Sequence, residues 1–204
     1  MGKRRAFRSR PLAQRLGWQS GCPAVVTPEG PQYIDCVVGS EPGSARSGPA
    51  NGRVDVLLAC SAGGHLLQLL ALRDAWAPFT HEWVTDDRSD TRSLLEGERV
   101  TWAFWPTSRN LLTLVRNTRL AWRLVRRARP RVVLTTGAAT AVPFAWVGRL
   151  FGAKVVYVES ITRIDGPSLS CRLIAPIASR VYVQWPELQR SVRKARYAGT
   201  VLSR

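Results

Sequence analysis

The sequence predicts a doubly wound α/β fold, in which helices cover both faces of a parallel, Rossmann-like sheet. From Arg53 onward, apolar segments typical of strands alternate with segments of helical periodicity. The runs 132–134 and 155–158 are continuously apolar, as expected for strands that are covered on both faces. Such alternation gives a parallel sheet with right-handed crossovers. Strands are predicted at 54–60, 80–85, 100–104, 131–135, 153–158 and 180–184, and helices at 65–76, 89–96, 108–128, 140–151, 168–177 and 186–195.

Two regions of different composition divide the chain. Residues 1–52 are rich in Gly, Pro, Ser and Arg, and we expect a poorly ordered extension there, whose function the sequence does not reveal. Residues 53–204 carry the strand–helix alternation and are predicted to form one Rossmann-like domain. The total of 204 residues suits one domain with an appendage.

The charge of the chain is strongly positive, with a formal net charge of +16. All but three of the 30 basic residues are arginine, and codon usage in a GC-rich genome explains part of that excess. A surface of this charge attracts anions such as nucleic acid, acidic lipid headgroups or phosphates. Nucleic acid is not expected as a partner, because no basic motif interleaved with aromatic residues and no zinc knuckle accompanies the charge.

Metal sites, disulfides and membrane spans are not predicted. The four cysteines show no CxxC spacing and no Cys/His cluster, so we expect reduced thiols in a cytosolic protein without a metal. The longest uncharged run, 132–148, is short for a membrane span and is interrupted by a Thr-Thr-Gly turn and Pro143. No apolar segment of a secretory signal follows the basic N-terminus.

The turn 61–65, Ser-Ala-Gly-Gly-His, lies between a predicted strand and a predicted helix. Glycines allow close approach to the backbone, and the N–H groups at a helix N-terminus favour an anionic or polar ligand. His65 adds a group that exchanges a proton near neutral pH. The full GxGxxG pattern is absent, so no dinucleotide cofactor is predicted. The alternative is a plain strand–helix turn with His65 at the surface.

Two further loops follow strands and therefore face the same edge of the sheet, where ligands bind in such folds. Gly137 lies in a turn of small residues, and tight strand–helix packing is the alternative to ligand contact there. Glu159 ends a buried strand, where a carboxylate could orient or deprotonate a substrate hydroxyl. Its alternative is a salt bridge to Arg163 or another arginine. Asp90, in a third loop, fits helix capping.

The segment 109–129 is predicted to form a strongly amphipathic helix. A basic helix that carries Trp can lie on an anionic membrane surface, although solvated arginines on an outer helix are the alternative. One face is predicted from Leu111, Val115, Thr118, Trp122 and Val125. A second, basic stripe is predicted from Arg116, Arg119, Arg123, Arg126 and Arg127.

Several of these segments together resemble a known family. The opening Ser-Ala-Gly-Gly-His-Leu-Leu-Gln-Leu-Leu at 61–70 resembles that of bacterial exopolysaccharide glycosyltransferase subunits of the PssD type. That group is similar to the membrane-anchoring subunit of the eukaryotic UDP-GlcNAc transferase that acts on dolichol-linked sugars. The most specific block holds Glu159, Arg163-Ile164-Asp165 and Pro167-Ser168-Leu169. The remaining blocks are 84–87 with 90–95, 105–110, 136–144 and 181–187, and the resemblance covers about 53–201.

Two positions depart from the family pattern. Ser170-Cys171-Arg172 stands where the family usually has Thr-Gly-Lys, and Ser179 stands where it usually has Asp. A cysteine in place of glycine restricts close approach to the backbone. The role of 168–172 is therefore not carried over from the family.

The resemblance implies one half of an enzyme, similar to the N-terminal half of MurG: the acceptor-side domain of a GT-B glycosyltransferase. A small catalytic partner subunit would bind the nucleotide-sugar donor, and the acceptor would be a polyprenyl-diphosphate-linked saccharide. We expect a cytoplasmic protein, peripheral at the inner face of the cell membrane, with no cofactor and no metal. A non-catalytic scaffold that activates the catalytic subunit, and a stand-alone nucleotide-binding regulator, are the alternatives.

The loops and the resemblance together give eight candidate site residues. His65 and Glu159 are the candidates for hydroxyl orientation or proton transfer. The predicted substrate-binding residues are Ser61, Gly63, Gly64, Gly137, Arg163 and Asp165.

Overall fold

The computed structural model describes residues 52–106 and 110–201, and in these ranges strands and helices alternate along the chain. The predicted extension 1–52 lies outside the described residues except for Gly52. The strands are β1 (Val56–Ala59), β2 (His81–Asp86), β3 (Val100–Ala103), β4 (Val132–Thr135), β5 (Lys154–Val158), β6 (Arg180–Val183) and β7 (Ala195–Tyr197). The helices are α1 (Gly64–Ala71), α2 (Arg73–Trp76), α3 (Ser89–Leu94), α4 (Leu111–Ala128), α5 (Ala141–Leu150), α6 (Leu169–Ile174) and α7 (Pro186–Ser191).

The seven described strands form one parallel sheet in the order β3-β2-β1-β4-β5-β6-β7. The order reverses between β1 and β4, because the chain builds outward from β1 in one direction and then from β4 in the other. Ala59 at the end of β1 is level with Val84 of β2 and Thr135 of β4. The loops that follow these strands therefore emerge side by side, and the predicted doubly wound fold is confirmed.

Two buried clusters, one on each face of the sheet, form the core. The alternation of side chains along β1 shows the division, since Leu57 packs into one cluster and Leu58 into the other. Buried residues of α4, α5 and α6 complete the first cluster. The second is completed by α1 and α2, whose Trp76 stacks edge-to-face on Trp83 of β2 at a centroid distance of 5.1 Å.

The predicted elements differ from the structure in three places. The predicted helix 65–76 is divided at Leu72, whose backbone leaves helical geometry at ψ 18°. The predicted helix 108–128 begins at Leu111 because the Asn110 side chain caps it, accepting a hydrogen bond from the Thr113 N–H at 3.0 Å. The predicted helix 186–195 ends at Ser191, and the short strand β7 was missed because three residues carry little periodicity.

The residues predicted to form one apolar face of α4 do not pack on the core, apart from Val125. Leu111 is 79% exposed and Trp122 is 45% exposed, whereas the packed face carries mainly small and polar residues. Small side chains let α4 approach its neighbours closely. Asn117 can be buried because its side-chain amide pairs with the Phe104 backbone: Oδ1 accepts from the Phe104 N–H at 2.9 Å, and Nδ2–H donates to the Phe104 C=O at 3.0 Å. The buried residues are Thr113, Asn117, Ala121, Leu124, Val125 and Ala128.

Asn117→Ala tests this packed face. The substitution removes the partner of the Phe104 N–H and C=O at a part-buried position, so we expect the free energy of unfolding to fall by about 1–3 kcal/mol. Urea denaturation measures it. Thr118→Ala, on the exposed side of the same helix, is the control and should change stability by less than about 0.5 kcal/mol. Equal effects of the two substitutions would contradict the assigned face.

Candidate functional site

The candidate site lies at the carboxyl-terminal edge of the sheet, where the strand order reverses between β1 and β4. Two reciprocal hydrogen bonds join the loops that follow these strands. The His65 Nδ1–H donates to the Thr136 C=O at 2.8 Å, and the Thr136 hydroxyl donates to the His65 C=O at 2.8 Å. A carbonyl only accepts, so the Nδ1 of the neutral ring carries the proton and Nε2 is left as a proton acceptor. The half-buried imidazole is thus held in one orientation.

The two glycines before His65 leave the N-terminus of α1 open. Gly63 has φ 78° and ψ −137°, a backbone conformation confined essentially to glycine, and it precedes the first residue of the helix. Gly63 and Gly64 are exposed, and a Cβ added to either would contact no atom within 4 Å. A ligand can therefore approach this backbone closely. Ser61, half-buried, lies at the entry to the same turn.

Asp86 joins the ends of three neighbouring strands. This carboxylate is 3% exposed; it accepts a hydrogen bond from the Thr140 hydroxyl at 2.9 Å and another from the Ala62 N–H at 3.3 Å. It thereby fixes both the loop after β1 and the loop after β4. No sequence pattern pointed to this role, since the residues that Asp86 binds are 24 and 54 positions away along the chain.

Gly137 is buried and packs against a tyrosine. Its φ is 98°, and a Cβ at this position would lie 2.8 Å from the Tyr157 Oη. The glycine is therefore required for close packing of the loop after β4 on β5. Its predicted contact with substrate stays a prediction beside this packing role.

Glu159 is fully buried at the end of β5. One carboxylate oxygen accepts hydrogen bonds from the Tyr157 hydroxyl at 3.2 Å and the Ser160 N–H at 2.9 Å. The other accepts from the Ser168 N–H at 2.9 Å. The alternative salt bridge to Arg163 is not formed among the described residues, where the Arg163 side chain is exposed.

Burial and the neighbouring Glu159 carboxylate change the titration of two groups. Burial is the main cause that raises the pKa of Tyr157 far above its ordinary value, and the charge of Glu159 raises it further. Tyr157 therefore stays protonated and continues to donate. The pKa of Cys171 rises to about 12, again mainly by burial, so this thiol is not a nucleophile at neutral pH.

A pair of buried glutamines, which no sequence pattern indicated, joins α1 to the ends of β5 and β6. Gln68 Oε1 accepts hydrogen bonds from the Ile161 N–H and from Gln184 Nε2–H, both at 2.9 Å. Gln184 Nε2–H also donates to the Glu159 C=O at 2.8 Å, and its Oε1 accepts from the Val201 N–H at 2.9 Å. The two residues are 116 positions apart, so no local pattern could have revealed the contact.

The remaining predicted residues lie in the loop after β5. The side chains of Arg163 and Asp165 are exposed, and no described hydrogen bond joins either of them to His65. The structure thus brings together the loops that carry Ser61, Gly63, Gly64 and His65 with the Thr136–Gly137 turn. Within the described residues, no group of three His, Cys, Asp or Glu side chains could hold a metal ion.

The outer face of α4, α5 and α6 combines exposed apolar side chains with arginines, and we call it the apolar-basic face. The three helices are in contact: Trp122 stacks on Phe151 at a centroid distance of 4.9 Å, and the Trp146 indole N–H donates to the Leu173 C=O at 3.2 Å. Arg127, which was predicted in the basic stripe, is not part of this face because its guanidinium binds the buried carboxylate of Glu82 at 2.6 Å. The face consists of Leu111, Leu112, Leu114, Val115, Trp122, Trp146, Leu150, Leu169 and Leu173 with Arg116, Arg119, Arg123 and Arg126. Among the helices of 52–106 and 110–201, none has the length and apolar character to cross a membrane.

Comparison with known proteins identifies relatives in sequence. Residues 103–201 match the family model described as "Oligosaccharide biosynthesis protein Alg14 like". The UDP-N-acetylglucosamine transferase subunit ALG14 of Eremothecium gossypii is 27% identical over 201 residues, which cover 83% of this chain and 88% of that protein. The human protein of the same name is 31% identical over 104 residues, 48% of this chain and 47% of its own length. That of Candida albicans is 35% identical over 80 residues, only 36% of either protein.

Comparison with solved structures identifies the fold. MurG of Acinetobacter baumannii superposes with a TM-score of 0.60 at 16% identity, over 74% of this chain and 47% of MurG. The UDP-N-acetylglucosamine 2-epimerase of Rickettsia bellii gives a TM-score of 0.59 at 10% identity, over 74% of this chain and 46% of the epimerase. The chain spans about half the length of each. These likenesses agree with the predicted Rossmann-like half of a GT-B fold.

Two alanine substitutions test which glycine at this edge is required for packing and which lies in open space. Gly137→Ala places a methyl group against the Tyr157 hydroxyl at a positive φ, so we expect a loss of about 2–4 kcal/mol in stability. Gly64→Ala meets no atom within 4 Å and should leave stability within about 1 kcal/mol. Thermal and urea unfolding measure both. A stable Gly137→Ala variant would show that the loop does not need this close contact.

Proposed function

We propose that this Alg14-like chain is the acceptor-binding, membrane-associating subunit of a two-component glycosyltransferase. Its partner is a small catalytic subunit that binds the nucleotide sugar, and the acceptor is a polyprenyl-diphosphate-linked saccharide. The process is polysaccharide or oligosaccharide assembly, with exopolysaccharide synthesis favoured by the PssD-type resemblance. Support comes from relatives that are themselves named subunits of a UDP-N-acetylglucosamine transferase, and from the MurG-like fold.

The observation that carries the proposal is the His65–Thr136 linkage at the open N-terminus of α1. In the transfer, an acceptor oxygen attacks the anomeric carbon, the bond to the donor diphosphate breaks, and the hydroxyl proton must leave. The His65 Nε2, held in place through Nδ1, is the group that accepts or orients this proton. The exposed N–H groups near Gly63 and Gly64 supply donors for polar groups of the acceptor. Ser61, Arg163 and Asp165 are the further residues that we assign to acceptor binding.

Glu159 fits a positioning role better than proton transfer. Its carboxylate is 0% exposed and accepts three hydrogen bonds from within the chain. These bonds hold the ends of the loop 160–168, on which Arg163 and Asp165 lie. We therefore assign proton transfer to His65 and the geometry of this loop to Glu159.

His65→Asn tests the assignment in the complex with the catalytic subunit. An Asn side chain can keep the hydrogen bond to the Thr136 C=O but lacks the second ring nitrogen. We expect turnover to fall roughly 10²-fold, the scale of general acid–base catalysis, with an unchanged melting temperature. The assay measures transfer from the nucleotide sugar to the lipid-linked acceptor.

Two variants serve as controls in the same assay. Thr136→Val removes the hydroxyl bond to the His65 C=O but keeps Nε2, so turnover should fall less than in His65→Asn. Glu159→Gln should lower the melting temperature, with turnover reduced only in proportion to the folded complex lost. Wild-type turnover of His65→Asn would remove His65 from the chemistry and favour a non-catalytic scaffold that recruits and activates the catalytic subunit.

Membrane association is proposed to be peripheral, at the inner face of the cell membrane, through the apolar-basic face. Each arginine near an anionic surface contributes about 1 kcal/mol, screened within a Debye length. Leucines buried at the lipid boundary contribute about 1.5–3 kcal/mol each, and salt does not screen this term. Binding should therefore have one component that falls with salt and one that persists.

Flotation with acidic and neutral vesicles separates the two components. Arg116→Gln, Arg119→Gln and Arg123→Gln together should weaken the salt-sensitive part of binding to acidic vesicles. Leu111→Gln with Leu112→Gln should weaken binding at every salt concentration. The control is Leu67→Gln with Leu94→Gln, which replaces two exposed leucines outside the apolar-basic face. An equal loss in this control would rule out the apolar-basic face as the docking surface.

A further inference from the structure

A cavity of about 520 Å³ lies between α6 and the turn that leads from α7 into β7. Its volume is in the range of sites that hold small molecules. Arg172 of α6, together with Arg193 and Lys194 of the turn, brings three cations to its wall, and Ser191 adds a hydroxyl. None of the lining residues belongs to the loops 61–65 or 136–140 that carry His65 and Thr136, and Pro167 alone belongs to the loop 160–168.

No acidic side chain within 52–106 or 110–201 pairs with the cations of this cavity. Its lining contains no Asp or Glu. Among the described residues, Arg172, Arg193 and Lys194 take part in no ion pair, whereas Arg92 binds Asp87, and Arg99 and Arg127 both bind Glu82. Three like charges around one cavity repel one another, so an anion between them lowers the electrostatic energy.

The turn that carries two of these cations has a defined conformation. The Ala195 N–H donates to the Val192 C=O at 3.0 Å, and Lys194 adopts φ 69°. This left-handed conformation is uncommon for a lysine and costs on the order of 1–3 kcal/mol. It places Arg193 and Lys194 at the same cavity.

We propose that this cavity binds a phosphate-bearing anion. Guanidinium groups match phosphate oxygens with two parallel hydrogen bonds, a lysine supplies a compact charge, and the Ser191 hydroxyl is a further donor. Pro167 and Val192 form an apolar wall for the uncharged part of the ligand. The phosphate comes either from a lipid headgroup, since α6 also presents exposed Leu169 and Leu173, or from a soluble phosphate ester.

The test compares two triple variants of the full chain. Arg172→Gln, Arg193→Gln and Lys194→Gln remove the three cations of the cavity. Arg53→Gln, Arg73→Gln and Arg190→Gln remove the same charge from exposed positions outside its lining. Calorimetric titration with glycerol 3-phosphate measures the soluble source. Flotation with phosphatidylcholine vesicles, with and without phosphatidylglycerol, measures the lipid source. Melting temperatures confirm that both variants fold.

We expect the cavity variant to lose binding that the control variant keeps. One charge-assisted hydrogen bond changes Kd about tenfold or more, so the triple variant should bind at least about 100-fold more weakly. A loss in the titration identifies a soluble phosphate ester. A loss in flotation, where the wild-type chain does not bind glycerol 3-phosphate, identifies a lipid headgroup. Binding in either assay that is equal in the cavity and control variants, or no binding by the wild-type chain in both assays, overturns the proposal. Because neither assay involves sugar transfer, the outcome is independent of the proposed transferase function.

Discussion

Buried polar side chains at the carboxyl-terminal edge of the sheet hold the loops on which the candidate site is built. Asp86, Gln68, Gln184 and Glu159 are each at most 5% exposed. The first three bind backbone or hydroxyl groups of another loop, and the Glu159 carboxylate binds both ends of its own loop. A buried polar group without a partner costs about 1–3 kcal/mol, so these contacts restrict the loops to one arrangement. The loops after β1, β4, β5 and β6 therefore behave as one connected layer above the sheet.

This constraint also determines which groups remain available to a ligand. Glu159 and Asp86 use their oxygens within the chain, and the Gly137 backbone is covered by Tyr157. The half-buried His65 ring and the exposed Gly63 and Gly64 are what this layer leaves accessible. The imidazole of His65 is fixed separately, by its hydrogen bond to the Thr136 C=O. Pre-organisation of this kind reduces the reorganisation needed when an acceptor binds.

The sequence predicted the strands and the edge of the sheet but not the direction of each side chain at that edge. Periodicity located six of the seven described strands, because buried parallel strands are continuously apolar. It predicted that Glu159 follows a strand, yet nothing local indicated that its carboxylate turns inward to Ser168. Likewise, Asn117 looks like a surface residue, and only its contact with the Phe104 backbone explains why it is buried. Long-range hydrogen bonds decided these cases, and they leave no periodic pattern.

The distribution of exposed apolar residues relates the apolar-basic face to the site. Leu111, Leu112, Leu114 and Val115 occupy the first turns of α4, which follow the carboxyl-terminal end of β3. Trp105, 61% exposed, precedes them at the same edge of the sheet. The apolar end of α4 thus lies on the side of the molecule where the loops with His65 emerge, while Arg119, Arg123 and Arg126 follow along the helix. In the proposed function, an acceptor attached to a lipid must bring its reacting hydroxyl to the site while its tail stays in the bilayer. An apolar surface at the edge that carries the site supports that geometry, because docking through α4 would hold the His65 loop close to the headgroups.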